Sequence, residues 1–335
     1  MSTTSAIEPG PGVEPAPGAV AAAIHGSAVR RGDLWFRRLS AGSGIFVLVL
    51  MAAIAVFLVW RAVPALRANT VNFLTYQQWF PDDPAGAKFG IAALAFGTVV
   101  SAVLAMLMAV PVGYGIALFI AQYAPRRIAA MLGYIVDLLA AVPSIIFGLW
   151  GLAFLMPRSE DFMIWLNDHL GFIPIFKNTI GLYGKSIMLA SIVLAIMILP
   201  TVSAISREVF KQVPTAHIEA ALALGATRWE MVRTAVLPFG RPGMISAAML
   251  GLGRALGETI AVALLLSAVF SINPHLTEPG GNTFAANIAL RWNEAGTVGL
   301  GALIAAGLVL FVITLVVNMI ARIIIERRRD FSGAN

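Results

Sequence analysis

EAALALGATRWEMVRTAVLP, residues 219–238, is a polar island between two long apolar segments. Its local chemistry describes two short helices with a tight corner between them. Pro214 and Thr215 supply a start signal, with Thr215 as the expected N-cap and Glu219 in the early turns. Ala220, Ala221, Leu222, Ala223 and Leu224 favour helix strongly. Gly225 supplies a stop in the left-handed conformation that other residues avoid. Thr227 is the next cap, for a helix expected to end at about Val236, ahead of Pro238. The alanines allow another backbone to approach closely, while Arg228 and Arg233 remain for a rim. The plainer reading is an amphipathic hairpin that only connects its neighbours.

Those neighbours decide the class. The chain has 335 residues, of which 59% are apolar and 12% charged, and its mean hydropathy is +0.85. A soluble domain carries about twice that charged fraction, so the expected fold is an all-α polytopic membrane protein. Six spans are readable, at 39–63, 89–121, 128–156, 185–205, 242–270 and 298–323. Each supplies the roughly 20 residues that cross a bilayer core of about 30 Å. Pro111 and Pro143 predict kinks in the second and third spans. Residues 1–36 are rich in Pro, Gly, Ala and Ser and are expected to be disordered. No signal peptide is evident; the first span reads as an uncleaved anchor. Most Lys and Arg outside the spans fall on one side, which places both termini and the 219–238 loop in the cytoplasm. The net charge of +6 follows this topology and calls for no nucleic-acid partner. The outer loops carry Trp79, Phe80, Phe162, Trp165, Phe172, Phe176 and Trp292, as interfacial anchors or as a docking surface.

Two charges sit deep in the fifth span, Arg254 and Glu258, in GLGRALGETIAVALLL. Arg254 lies about 12 residues in from Pro242, or roughly 18 Å at the helical rise, near the midplane. The i, i+4 spacing puts both side chains on one face of an unbroken helix. A charge at that depth is costly unless paired or wet, so both are substrate-pathway candidates. The alternative is an ion pair that only locks the bundle. A guanidinium suits a tetrahedral oxyanion because it is planar, permanently charged and forked. Asp137, in the third span, is the other acid; it is placed either against Arg254 or beside Ser144 and the backbone freed by Pro143. With no Cys there is no thiolate site or disulfide, and the four His are scattered without metal-ligand spacing. GLYGKS at 181–186 has Thr179 where a phosphate-binding loop needs its first Gly, and GLGRALG has the wrong spacing for a dinucleotide fingerprint.

The spacing Glu219-Ala220-Ala221, Gly225, Leu237-Pro238 resembles the EAA loop of ABC-importer permeases, with Ala235 where that family usually has Ile. AVPSIIFGLWGL (141–152), AIMILPTVSAISREVF (195–210) and RALGETIAV (254–262) are similar to the phosphate-specific permeases of PstC type, a resemblance running from about residue 73 to 323. It implies the type I ABC-importer permease fold with six transmembrane helices, in a bacterial plasma (inner) membrane. It divides the chain into a tail (1–36), a first helix and outer loop (37–87), a permease core (88–323) with its coupling loop at 206–241, and a second tail (324–335). It makes Glu219, Ala220, Ala221, Gly225, Leu237 and Pro238 the ATPase-coupling residues, and Arg254 and Glu258 the charged positions of the pathway. The implied partners are a PstA-like sister permease, two PstB-like ATPase subunits, an external PstS-like phosphate-binding protein and membrane lipid. The chain is then a transport subunit, not an enzyme. It needs no cofactor of its own, because ATP and magnesium belong to the ATPase. The alternatives are a permease for sulfate or molybdate and, from another class, a proton-coupled carrier using Arg254, Glu258 and Asp137.

Overall fold

Helix α1 (Arg31–Ala68) opens the computed structural model, which describes residues 31–329. The chain divides into two units, 1–56 and 57–335. The described part of the first unit is helix alone, and its apolar side chains, from Trp35 through Val56, are almost all exposed. This helix is apolar all round and long enough to cross a membrane. Its start at Arg31 makes residues 31–36 helical, where an unstructured tail was expected; residues 1–30 lie outside those described.

The second unit is built around α2 (Ala92–Leu118) and α6 (Ile187–Lys211). Ala102, Ala105, Ala109, Gly113 and Ala117 recur at helical spacing on α2 and are all buried. That narrow stripe lets α6 lie close: a Cβ added at Gly113 would stand 3.1 Å from Val202 Cγ1. Leu189, Leu194, Met197 and Ile198 of α6 fill the same core. In lipid this close packing, and not transfer from water, holds helices together. Pro111 lies inside α2 without ending it; α geometry is lost only later, in a π turn at Phe119–Tyr123.

Two of the expected spans are broken. The third consists of α3 (Arg126–Ala140), then α4 (Ser144–Trp150), a π turn at Gly151–Leu155 and α5 (Met156–Leu170). The chain turns by 89° between α3 and α4. Pro143 has no N–H to give and pushes Val142 out of helical geometry, so the predicted kink is a corner. Gly148 brings α4 against the segment after Glu258, since a Cβ there would lie 2.7 Å from Ala261 Cα.

After α7 (Thr215–Ala223), α8 (Arg228–Met231) runs through a π turn (Val232–Val236) into α9 (Leu237–Leu256). The helix was expected to stop before Pro238, but it continues. The wide π turn absorbs the missing N–H and the bulk of the proline ring. The span then breaks at 257–259 and resumes as the short α10 (Ile260–Leu265). The remaining helices are α11 (Phe284–Arg291) and α12 (Thr297–Arg329). The C-terminal tail expected from residue 324 is helical to Arg329; residues 330–335 lie outside those described. Among the described residues, five helices are long and apolar enough to cross a membrane, six if the bent pair counts as one span.

One face of this unit carries a small polar and aromatic cap. A short ladder pairs β1 (Trp79–Phe80) with β2 (Lys88–Phe89). Trp79 is buried against Phe89 and Phe270, so it is a core residue and not an interfacial anchor. Asp82 accepts hydrogen bonds from the N–H groups of Gly296 and Gly299, each at 2.9 Å, capping α12 from far along the chain. Glu278 closes the cap. Burial pushes its carboxyl up. The Thr179 N–H at 2.6 Å, the Thr179 hydroxyl at 2.7 Å, the Asn273 amide at 2.6 Å and the nearby His275 outweigh that and hold it below the usual carboxylate range.

A depressed carboxyl stabilises the fold above its unfolded pKa of about 4.3, and the contribution is lost as pH falls through the lower folded value. Limited proteolysis of the 171–186 segment is therefore expected to stay slow from pH 7 to about 5 and to rise below about pH 4. Glu278→Gln should make the segment labile already at pH 7. Equal cleavage of the two proteins at neutral pH would show that Glu278 does not hold these loops.

Candidate functional site

Arg254 occupies the last turn of α9 and is half-buried. One guanidinium N–H donates to Thr201 Oγ1 of α6 at 2.9 Å. The side chain opens on a groove of about 670 Å³. One wall is the α9 face Ser246, Met249, Leu250 and Gly253; the other is the α12 face Asn318, Ala321, Arg322 and Ile325. Both sets recur at three- and four-residue intervals, as one helical face must.

Glu258 does not join it. The shared face expected from the i, i+4 spacing, and the ion pair offered as its alternative, both require an unbroken helix, but α9 ends at Leu256 with Gly257 as its cap. Glu258 lies beyond the break, buried, and its Oε1 accepts the Ala261 N–H at 3.2 Å. It satisfies a backbone donor at the start of α10.

Asp137 is elsewhere again. Both its oxygens lie 3.1 Å from Nη2 of Arg207 on α6, so it pairs neither with Arg254 nor with the backbone near Ser144. Arg207 is 9% exposed at its side chain and also lies 2.9 Å from Glu208 Oε1, which in turn accepts from Lys211 at 3.1 Å. Gly133 makes room, since a Cβ there would lie 2.6 Å from Arg207 Nη1. Asp137 is 53% exposed in this chain, so the pair itself is worth at most about 1 kcal/mol. Its greater consequence is to leave the buried guanidinium with a partner.

The 219–238 loop is a folded hairpin. Phe210, Val213, Met231, Val232 and Val236 form a small core under it. Helix α7 starts at Thr215, with Pro214 and not Thr215 in the cap position. It ends in a Schellman motif: the Ala226 N–H donates to Ala221 O at 3.2 Å, the Gly225 N–H to Leu222 O at 3.0 Å, and Gly225 has φ +84°. Thr227 and Glu230 form a complete capping box for α8. Glu219 and Ala220 are exposed; Ala221, Leu237 and Pro238 are half-buried. Between α7 and the π turn lies a groove of about 390 Å³ lined by His217, Ala220, Ala221, Thr234, Ala235, Pro238 and Phe239. Leu224 of the same hairpin is 89% exposed, and Leu222 and Trp229 are exposed as well.

Residues 113–330 match the family model described as binding-protein-dependent transport system inner membrane component. The chain belongs to this family. The matched region contains Asp137, the whole 219–238 hairpin, Arg254 and Glu258. Among curated relatives, the phosphate transport system permease protein PstC 2 of Mycobacterium tuberculosis is 48% identical over 88% of this chain and 92% of its own. The phosphate transport system permease protein PstC of Mycobacterium leprae is 48% identical over 93% of this chain and 98% of its own. A crystal structure of a bacterial ABC transporter involved in the import of the acidic polysaccharide alginate shares the fold, with a TM-score of 0.51 at 19% identity over 71% of this chain and 79% of that one.

In this family member the structure brings together residues that the sequence left apart. Thr201 reaches Arg254, Arg322 lines the same groove, and Arg207 holds Asp137. Arg207 had a detectable signal. It falls at helical spacing with Ser203 and Phe210 on the buried face of α6, although its charge alone reads as a cytoplasmic flank. Thr201 and Arg322 carried no such signal, because their role depends on which helices become neighbours.

Proposed function

We propose that this chain is the channel-forming permease subunit of an ATP-driven importer of inorganic phosphate. The observation that carries the proposal is the placement of Arg254. Its permanent charge stands mid-span on an open groove, in a chain 48% identical over most of its length to proteins named phosphate transport permeases. The guanidinium fork offers paired donors to a tetrahedral oxyanion. Thr201 holds one side of the fork, and the rest faces the groove.

A sister permease of PstA type completes the pore. An external PstS-like protein delivers phosphate, and two PstB-like ATPase subunits, with their ATP and magnesium, drive the cycle from the cytoplasm. Their docking surface is the hairpin with Glu219, Ala220, Ala221, Gly225, Leu237 and Pro238. The exposed Leu222, Leu224 and Trp229 give it the apolar area that protein docking uses. The chain itself binds no nucleotide and no metal in this scheme. The proton-coupled carrier was argued from Arg254, Glu258 and Asp137 acting as a set, and each has a different partner. The test is phosphate uptake by vesicles holding the full complex: uptake with ATP and binding protein supports the proposal, and uptake driven by a proton gradient alone sinks it.

In this reading both termini and the hairpin lie in the cytoplasm of a bacterium and the Glu278 cap lies outside. The chain has no native Cys, so single cysteines report cleanly. Leu224→Cys should be protected from an impermeant thiol reagent in intact cells and react after permeabilisation. Phe172→Cys, at an exposed position in the outer segment, should react in both. Labelling of position 224 from outside would invert the topology.

A further inference from the structure

The groove that Arg254 faces extends beyond it. Down the α12 wall, Asn318 and Arg322 follow one another at a single helical turn, opposite Ser246 on α9. We propose that Asn318 and Arg322 form a second, release-side oxyanion site, which takes phosphate from Arg254 and passes it out of the groove. The proposal rests on the phosphate-importer reading of the Arg254 groove.

Four observations support it. The groove is lined by two guanidiniums and by no carboxylate, so its own field attracts anions. Of the neutral polar groups that line the groove, Ser246 already donates its hydroxyl to Pro242 O at 3.0 Å, whereas among the described residues the Asn318 side chain makes no hydrogen bond and keeps its amide donors free. Gly253 leaves the passage open beside Arg254, since a Cβ built there meets nothing within 4 Å. Finally, the two arginines differ in burial within the chain. Arg254 is half-buried, whereas Arg322 is 82% exposed within this chain, and its ion-pair partner among the described residues is Glu326, 3.6 Å from Nε and itself exposed. An exposed ion pair is weak and screened. An anion reaching Arg322 therefore meets a charge that draws it on, while Glu326 competes for the same fork and keeps it from being held.

The same phosphate chemistry is presented by lipid headgroups, and the test separates the two. The full complex is reconstituted with Arg322→Gln, Arg322→Lys, Asn318→Leu or Arg254→Gln in vesicles with and without anionic lipid. Maximal ATP-driven uptake and the KM for phosphate on its binding protein are measured per assembled complex. Arg322→Gln should lower the maximal rate about tenfold with KM unchanged, the loss of one charge-assisted hydrogen bond at a step after delivery. Arg322→Lys should recover most of that rate, because a point charge suffices where no fixed geometry is required. Asn318→Leu should act in the same direction. A wild-type maximal rate for Arg322→Gln, beside a dead Arg254→Gln, would overturn the release site and leave the importer reading intact. Normal rates for both would overturn the importer pathway itself. A loss confined to vesicles with anionic lipid, or a raised KM in place of a lowered rate, would make Arg322 a lipid or assembly contact and overturn the proposal.

Discussion

Arg254→Gln is expected to reduce ATP-driven phosphate uptake by about a hundredfold in a complex that still assembles. Glutamine ends near the position of the arginine Nε, so the 2.9 Å bond from Nη1 to Thr201 Oγ1 is lost with the charge, while the small-residue packing of α9 against its neighbours, which holds the bundle, is untouched. What disappears is the charge and the paired donors on the groove side. Two charge-assisted hydrogen bonds, at about 1.5 kcal/mol or more each, account for the predicted loss. Glu258→Gln should behave differently. Glu258 accepts from Ala261 N–H at the helix break and makes no ion pair with Arg254; the glutamine oxygen can still accept that bond, so the start of α10 and the Arg254 charge should both be retained and uptake should fall far less. The measurement is phosphate uptake normalised to complex, with ATP hydrolysis recorded alongside. Wild-type uptake by Arg254→Gln would make this arginine a structural tie to Thr201.

Gly225→Val is expected to release the ATPase subunits while leaving the chain inserted in the membrane. Gly225 sits at φ +84° in the Schellman motif that turns α7 into α8. A left-handed conformation costs an ordinary L-residue about 1–2 kcal/mol, and a β-branched one more. The hairpin rests on a core of few residues, so that strain is enough to change the angle between α7 and α8. The groove lined by Ala220, Ala221 and Ala235 would change shape with it. Co-purification of the ATPase should fall by about tenfold or more, and uptake with it. Gly225→Asn should retain more of both, because asparagine tolerates this conformation. A valine variant that binds the ATPase and transports normally would remove the hairpin from the coupling path.

Much of this protein is legible locally. The apolar runs give the spans because length against bilayer thickness is a property of a segment, not of its neighbours. Thr227 with Glu230, and Gly225, announce the corner of the hairpin because caps and left-handed turns depend on a few adjacent residues. What the sequence could not settle lies wherever a helix breaks or two distant helices meet. The i, i+4 relation of Arg254 and Glu258 holds only for a continuous helix, and the tertiary packing ends α9 at Leu256. Pro143 announces a disturbance, but the 89° corner depends on what α4 packs against. Pro238 reads as a stop, yet the small core under the hairpin carries the helix through it by way of a π turn. Charge identifies Arg254 and Asp137 as costly residues and Arg207 only as a cytoplasmic flank. Which charge meets which group, Thr201 for the first and each other for the second and third, depends on contacts between residues 53 and 70 positions apart. Periodicity and capping are short-range, so the sequence by itself determined the spans and the hairpin. The partners of the buried charges follow from helix packing, which only the tertiary structure decided.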